Sequence, residues 1–166
     1  MEAVTTLARI IESTEEHGFD KISPVRASIT TAAGAVTKAA VEIGDVIDAK
    51  FLITFTETGG SARRQARLRP KRPMLAFTSQ QRTRSQLALV WGIETYLVPM
   101  ARHTDQMALQ VDRSLLAEAR VKEGDLVVIV AGSPPGIPGS TNALRVHRMG
   151  DAINGVAPAY QDLNEA

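Results

Sequence analysis

The sequence contains no cysteine and few aromatic residues, and both absences limit what the chain can be. Without cysteine it can form neither a disulfide nor a thiolate metal site, which fits a reducing compartment. Aromatic residues make up only 4% of the 166 residues, so aliphatic side chains and alanine must fill the core. The formal net charge is +1, which gives no overall field to attract nucleic acid or anionic lipid.

Long hydrophobic runs are also absent. No apolar stretch approaches the roughly 20 residues that a membrane helix needs. The first residues, MEAVTTLARIIESTEEHG, are acidic and amphipathic and lack the basic start and apolar centre of a signal peptide. We therefore expect a cytoplasmic protein without a membrane partner, and 166 residues suit a single domain.

The hydrophobic pattern predicts an alternation of helices and strands. A first amphipathic helix ends at Gly18, and an alanine-rich second helix begins with Pro24 behind a capping Ser23 and stops at Gly44. Residues 133–141 are too rich in proline and glycine to be regular. The remaining predicted elements are strands at 49–56, 73–78, 94–100, 125–132 and 142–150, and helices at 60–69, 79–92 and 104–124.

This order predicts an α/β fold with a mostly parallel five-stranded sheet and helices on both of its faces. No helix separates the last two strands, so we expect the strand at 142–150 to be antiparallel and at an edge. Serine at 79 is expected to cap the helix that follows it. Residues 151–166 are weakly patterned and are interpreted as a tail.

The stretch TFTETGGSARR, which follows the first strand, has the features of a phosphate site. Loops at the carboxyl ends of parallel strands form the ligand crevice of such sheets. Gly59 and Gly60 allow positive φ and close backbone approach. The helix after them offers free N–H groups and the positive end of its dipole. Side chains that could join these amides are Thr56, Thr58, Ser61, Arg63 and Arg64.

The same pattern also fits a tight strand-to-helix turn in which Ser61 is only a cap. The glycine spacing is not a Walker or dinucleotide fingerprint, and Glu57 argues against an anion. The basic run at 62–73 lacks interleaved aromatic residues, so a solvated helix face is favoured over nucleic-acid binding. We expect no metal site, because no metal-ligand spacing links the three histidines, His17, His103 and His147.

The longer stretch TFTETGGSARRQARLRPKRPMLAFT resembles the start of the C-terminal domain of bacterial-type pyruvate kinase. That family runs from a strand ending in Thr, through a Thr/Ser-Gly loop, into an arginine-rich helix closed by Arg-Pro. LALVWG resembles a helix of the family that ends in Trp-Gly, and VKEGDLVVIVAGSPPGIPGSTNALRVHRMG resembles its closing stretch. The similarity covers residues 1–150, with residues 1–22 similar to the helix that leads out of a catalytic barrel.

The resemblance implies a three-layer domain whose first and fourth strands are neighbours, with loops 56–61 and 132–141 at the switch point of the sheet. Many pyruvate kinases bind a phosphorylated allosteric effector there. The second loop would close over the ligand. The implied effector residues are Thr56, Thr58, Gly59, Gly60 and Ser61 in the first loop, and the second loop contributes Ser133, Gly136, Gly139 and Ser140. From the residue pattern we add Arg63, in the helix after the first loop, as a positive charge for the phosphate.

Two departures from the fructose-bisphosphate-responsive pattern bear on the effector. Glu57 stands where that pattern has a basic residue, and Pro134 and Pro135 stand where it has an aromatic residue and an arginine. The resemblance therefore implies a sugar monophosphate rather than a bisphosphate.

The resemblance also bears on activity and partners. The family converts phosphoenolpyruvate and ADP to pyruvate and ATP on a barrel of about 250 residues, which this chain lacks. We therefore expect no catalytic residue, cofactor or activity in this segment, whether it is a fragment or a stand-alone domain; Mg²⁺ and K⁺ would serve the full-length enzyme. Self-association, usually as a homotetramer, would use helices 25–43 and 104–121 and the last strand.

Two alternatives from other classes stay open. One is a small stand-alone enzyme or binding domain for phosphate esters, with Glu57 as its base. The other is a purely structural oligomerisation module with an empty site.

Overall fold

The computed structural model describes residues 2–18 and 29–164, with side-chain detail as far as residue 161. Helices and strands alternate through most of this part of the chain. Their bounds are α1 Glu2–Gly18, α2 Ala32–Val46, β1 Leu52–Phe55, α3 Gly60–Arg67, β2 Met74–Thr78, α4 Gln81–Leu87, β3 Ile93–Leu97, α5 Thr104–Ala117, β4 Leu126–Gly132, β5 Thr141–Arg148 and α6 Pro158–Asn164.

The five strands form one mixed sheet in the order β3-β2-β1-β4-β5. The first four strands are parallel, and β5 is antiparallel to β4 at the edge. Strand β1 lies between β2 and β4, with Leu52 opposite Met74 on one side and Val128 on the other. The predicted α/β fold, including the antiparallel last strand, is confirmed. A short loop joins β4 to β5, and such a connection permits only antiparallel pairing.

The sheet is covered on both faces because successive strand residues point in opposite directions. One face packs against α5 and α6, and the other against α2, α3 and α4. Helix α2 lies very close to the sheet, since a Cβ added to Gly44 would come within 2.5 Å of Leu52 Cδ2. Fully buried side chains on the α5 face include Ile53, Leu75, Phe77, Val111, Leu115 and Val127.

Helix α2 begins later than the sequence pattern predicts. Thr31 is its N-cap, and the Thr31 side chain accepts a hydrogen bond from the Gly34 N–H at 3.1 Å. Residues 29–31 are therefore not helical, because a threonine hydroxyl satisfies an otherwise unpaired amide of the first turn. The expected cap Ser23 and first-turn Pro24 lie outside the described residues.

Several other elements are shorter than predicted, and the expected cap at Ser79 is wrong. Gln80 occupies the cap position of α4, while the Ser79 hydroxyl donates to Glu57 Oε2 at 2.9 Å. Ala119 adopts φ 54°, a left-handed conformation that cannot continue α5. The elements that stop early are α4 at Leu87, β3 at Leu97 and α5 at Ala117.

The segment after residue 150 is not the weakly patterned tail that the sequence suggests. It turns back and forms α6, which packs against α5. Ala152 and Tyr160 are buried in the core on the α5 face of the sheet. Burial of these two side chains outweighs the weak periodicity of the segment, because apolar area removed from water stabilises even an irregular chain.

Helix α1 has no buried residue. It contacts the rest of the domain through Trp91, whose Nε1 donates to Glu15 Oε1 at 2.6 Å. Among the helices of the described residues, none has the length and apolar character required to cross a membrane.

Candidate functional site

A cavity lies at the carboxyl ends of the central strands, where the sheet changes direction between β1 and β4. Its space is about 70 Å³, and its walls come from the loops after β1, β2, β3 and β4 and from the first residue of β5. Strand β1 continues into α3, whereas β4 continues through a loop into the edge strand β5. The two loops therefore separate and leave a crevice between them. The fold thus brings together the two loops that the sequence singled out.

The first loop is built around Gly59. Its φ of 81° lies in the left-handed region, and it is the N-cap residue of α3. The Gly59 N–H donates to Thr56 Oγ1 at 2.9 Å, so Thr56 holds the turn as well as lining the cavity. A Cβ at Gly59 would lie 2.7 Å from Arg63 Nη1. Only glycine fits this turn without strain.

The first turn of α3 faces the cavity. Gly60 and Ser61 line it, and the backbone N–H groups at this end of the helix have no partner within the helix. Ser61 is buried, and its hydroxyl forms a hydrogen bond with the hydroxyl of Thr141 at the start of β5. Ser61 thus ties α3 to the strand that follows the second loop. Thr58 is exposed at the cavity mouth.

Arg64, rather than the expected Arg63, contributes the positive charge of the cavity. The Arg63 guanidinium turns towards the outside of the loop, where Nη1 donates to Thr58 O at 3.0 Å and Nη2 to Gln86 Oε1 at 3.4 Å. Arg64 lines the cavity and forms no ion pair or hydrogen bond within the described part of the chain. Arg63 therefore shapes the loop, and Arg64 is available to an anion.

The second loop lies across the cavity, and its base is clamped. The Ser133 N–H donates to Asn142 Oδ1 and the Asn142 Nδ2 donates to Ser133 O, both at 2.7 Å. Ser133 therefore anchors the loop instead of lining the cavity. Gly136, Gly139 and Ser140 do line it.

Glu57 also lines the cavity and is fixed by the loop after β2. Its Oε2 accepts hydrogen bonds from Ser79 Oγ at 2.9 Å and from Gln80 Nε2 at 3.2 Å. The Thr83 hydroxyl donates to the backbone oxygen of Glu57 at 2.6 Å. The cavity is therefore lined by a carboxylate as well as by the α3 amides and Arg64, so it offers both hydrogen-bond acceptors and donors.

Sequence reasoning missed several residues that share the cavity. Thr78 and Ser79 follow β2 directly, and their hydroxyl-rich position at a strand end was a usable signal. The contact of Thr141 with Ser61 could not be predicted from the sequence, because the two residues are 80 positions apart. The apolar wall on the β3 and α5 side carried no polar signal at all; it includes Val98, Met100 and Met107.

The sheet and the cavity at its switch point define a class of protein, the open α/β domains that bind ligands beyond the carboxyl ends of their strands. The family model described as "Pyruvate kinase, alpha/beta domain" matches residues 34–147. The chain belongs to this family, and the resemblance seen in the sequence is confirmed.

Full-length relatives and solved structures agree with this assignment. The chain is 50% identical over 151 residues to pyruvate kinase of Mycobacterium tuberculosis, covering 91% of this chain and 32% of the relative. It is 40% identical over 148 residues to pyruvate kinase of Corynebacterium glutamicum, covering 89% and 31%. A structure of Cryptosporidium parvum pyruvate kinase in complex with ADP superposes with a TM-score of 0.66 at 27% identity, over 74% of this chain and 24% of that one.

The chain thus spans about a third of the length of these curated relatives.

Proposed function

We propose that this chain is the regulatory and assembly domain of a pyruvate kinase, and that it binds a phosphorylated small-molecule effector in the cavity between the loops at 56–61 and 133–140. The proposal is carried by one observation. Arg64, which has no partner within the described residues, shares a small cavity with the first-turn amides of α3. Charge and converging N–H groups together form an anion site.

The effector on this proposal carries one phosphate. Glu57 lines the same cavity as Arg64, so a second phosphate placed beside it would meet a carboxylate. Like charges that share a partly enclosed site repel each other. A sugar monophosphate is therefore preferred over a bisphosphate.

Regulation follows from the two loops that the ligand would join. The Ser61–Thr141 contact already links α3 to the strand behind the second loop. An effector that binds the ordered arrangement of both loops better than other arrangements shifts the population towards it. In the full-length enzyme of this proposal, a cytoplasmic homotetramer, the shift would pass through α1 to a catalytic barrel. The domain of this proposal covers residues 1–150 and also α6, which packs against α5.

Calorimetric titration of the 166-residue chain tests the function. We expect heat of binding with inorganic phosphate and with hexose monophosphates, weakening as salt is raised because the interaction is between charges. Turnover of a chromogenic phosphate ester would instead favour a small enzyme. No binding and no turnover would favour a structural oligomerisation module.

A further inference from the structure

Methionine is the only sulfur-containing residue of this chain, which has no cysteine. The described residues include four of its five methionines. Met74, Met107 and Met149 are buried, with at most 7% of their surface exposed, whereas Met100 is 54% exposed. Since accessible sulfur atoms are oxidised more readily than buried ones, Met100 is the methionine that an oxidant reaches first in this part of the chain.

Met100 faces the second loop of the candidate site. It lies after β3 and lines the cavity together with Ile137 and Pro138 of that loop. Its Sδ is 3.9 Å from the point that a Cβ on Gly136 would occupy, which is an ordinary van der Waals distance. The sulfur is therefore part of the apolar surface on which the middle of the second loop rests.

The wall that carries Met100 is fixed, because side chains of α5 hold the backbone on both sides of it. Gln110 Nε2 donates to Pro99 O at 2.8 Å. On the other side, Gln106 Oε1 accepts from the Arg102 N–H at 2.7 Å. A chemical change in the Met100 side chain therefore acts on the loop opposite rather than on its own backbone.

The middle of the second loop is held less firmly than its base. The base has the clamp between Ser133 and Asn142, but among the described residues no hydrogen bond links residues 134–139 to another element of the fold. The hydrogen bond from the Ser140 N–H to Ile137 O, at 3.3 Å, stays within the loop. Side-chain packing, including that on Met100, therefore decides how closely the middle of the loop is held.

We propose that Met100 is a site of reversible oxidation by hydrogen peroxide, and that its sulfoxide releases the middle of the second loop. The sulfur attacks one peroxide oxygen, the O–O bond breaks and an S–O bond forms. Sulfur gives up two electrons, and the second oxygen takes the proton of the first and leaves as water. The sulfoxide is polar where the thioether was apolar, so it favours water over contact with Ile137 and Pro138.

This modification goes beyond the proposed function and does not depend on it, because it acts on the loop itself and needs no ligand in the cavity. Methionine sulfoxide reductases, each specific for one epimer of the sulfoxide, reverse the step. The loop would thus respond to the balance between peroxide and reductase.

The first measurement compares the methionines of the unaltered chain. The chain is treated with dilute hydrogen peroxide, and the sulfoxide at each methionine is followed over time by peptide mass spectrometry. We expect Met100 to be oxidised about tenfold faster than the buried Met107, which lines the same cavity. Treatment with both reductases should restore the thioether. Equal rates at Met100 and Met107, or a sulfoxide that neither reductase removes, would overturn the proposed site.

The second measurement follows the loop. Amide hydrogen exchange is compared at Ser140, within the loop, and at Ser133, in the clamp. We expect oxidation to speed exchange at Ser140 about three- to tenfold, as the loss of about one buried methylene-sized contact does, and to leave Ser133 unchanged. Met100→Gln places a polar side chain of similar length there and should reproduce the effect without peroxide.

Two further variants assign the response to the Met100 sulfur. Met100→Leu keeps an apolar side chain without sulfur, so peroxide should no longer change exchange at Ser140. Met107→Leu is the matched control and should respond to peroxide like the unaltered chain. A peroxide response that persists in Met100→Leu would overturn the proposal, because another group would then be responsible. Unchanged exchange at Ser140 in both the oxidised chain and Met100→Gln would also overturn it, since the loop would not rest on Met100.

Discussion

Asp112 on α5 and His147 on β5 form a buried pair, with Asp112 Oδ1 2.8 Å from His147 Nε2. The same carboxylate accepts hydrogen bonds from the backbone N–H groups of Gly150, Ala152 and Ile153 at 2.9–3.1 Å. One side chain thus ties the turn after β5 to α5. This pair explains why the segment that leads to α6 is ordered.

Removal of this carboxylate should strongly destabilise the domain. Asp112→Ala leaves a buried imidazole and three amides without their acceptor, and we expect a loss of about 3–5 kcal/mol in the free energy of unfolding. Asp112→Asn keeps one acceptor oxygen and should lose less. Urea denaturation at neutral pH measures both. Equal stability of Asp112→Ala and the unaltered chain would contradict the role given to the pair.

The stability contributed by Asp112 should depend on pH in a defined direction. Burial acts to raise the pKa of this carboxyl, but the hydrogen bond from His147 and those from the backbone amides outweigh burial and hold the pKa below its ordinary value. A lowered folded-state pKa contributes stability that is present above the unfolded pKa of about 3.9 and is lost as pH falls below it. Denaturation curves between neutral and acidic pH should show this loss, and Asp112→Asn should lack it.

Arg64 should dominate anion affinity. We expect Arg64→Ala to weaken inorganic phosphate about tenfold, because a charge-assisted hydrogen bond contributes about 1.5 kcal/mol or more. Arg67→Ala is the matched control, since Arg67 belongs to the same helix, is exposed and does not line the cavity. Calorimetry in which the two variants behaved alike would place the anion elsewhere.

Glu57 should control the choice between one phosphate and two. Glu57→Gln removes the negative charge but keeps an amide of the same shape. We expect the affinity for a hexose bisphosphate relative to a hexose monophosphate to rise about five- to tenfold as the repulsion disappears. Competition titration measures this ratio. An unchanged ratio would show that the second phosphate never approaches Glu57.

The two adjacent glycines of the first loop should respond differently to alanine. Gly59→Ala places a Cβ at φ 81° and 2.7 Å from Arg63 Nη1, so we expect a loss of about 1–2 kcal/mol in stability. Gly60→Ala meets Thr58 Oγ1 only at 3.7 Å and should not destabilise the fold. Thermal unfolding compares the pair. A similar loss of stability in both variants would mean that the left-handed conformation of Gly59 is not the reason this turn requires glycine.

Much of the fold could be predicted because its signals are local. The apolar stretch at 52–55 predicts a strand buried on both faces, and the alternation of strands with helices predicts a parallel sheet. Element ends were less predictable, as α2 shows. Its N-terminus depends on Thr31 offering a hydroxyl to Gly34, although the alanine-rich pattern continues on either side of that cap.

The candidate site was predicted in part for the same reason. Gly59, Gly60 and Ser61 could be predicted as site residues, because glycine and serine directly after a strand are typical of a ligand-binding loop. Which arginine faces the cavity was not predictable, because neighbouring helix positions differ by about 100° and the phase is set only where α3 actually begins. Only the structure could therefore show that Arg64 is the arginine that lines the cavity.

The sequence by itself determined the order of the elements, the membership of the family and the glycine turn, because periodicity and backbone freedom are properties of neighbouring residues. Only the tertiary structure decided that Ser61 meets Thr141, that Asp112 meets His147, and that the last helix belongs to the core. These contacts join residues far apart in the chain. Their formation depends on how the sheet and its two helical layers pack, which no local pattern encodes.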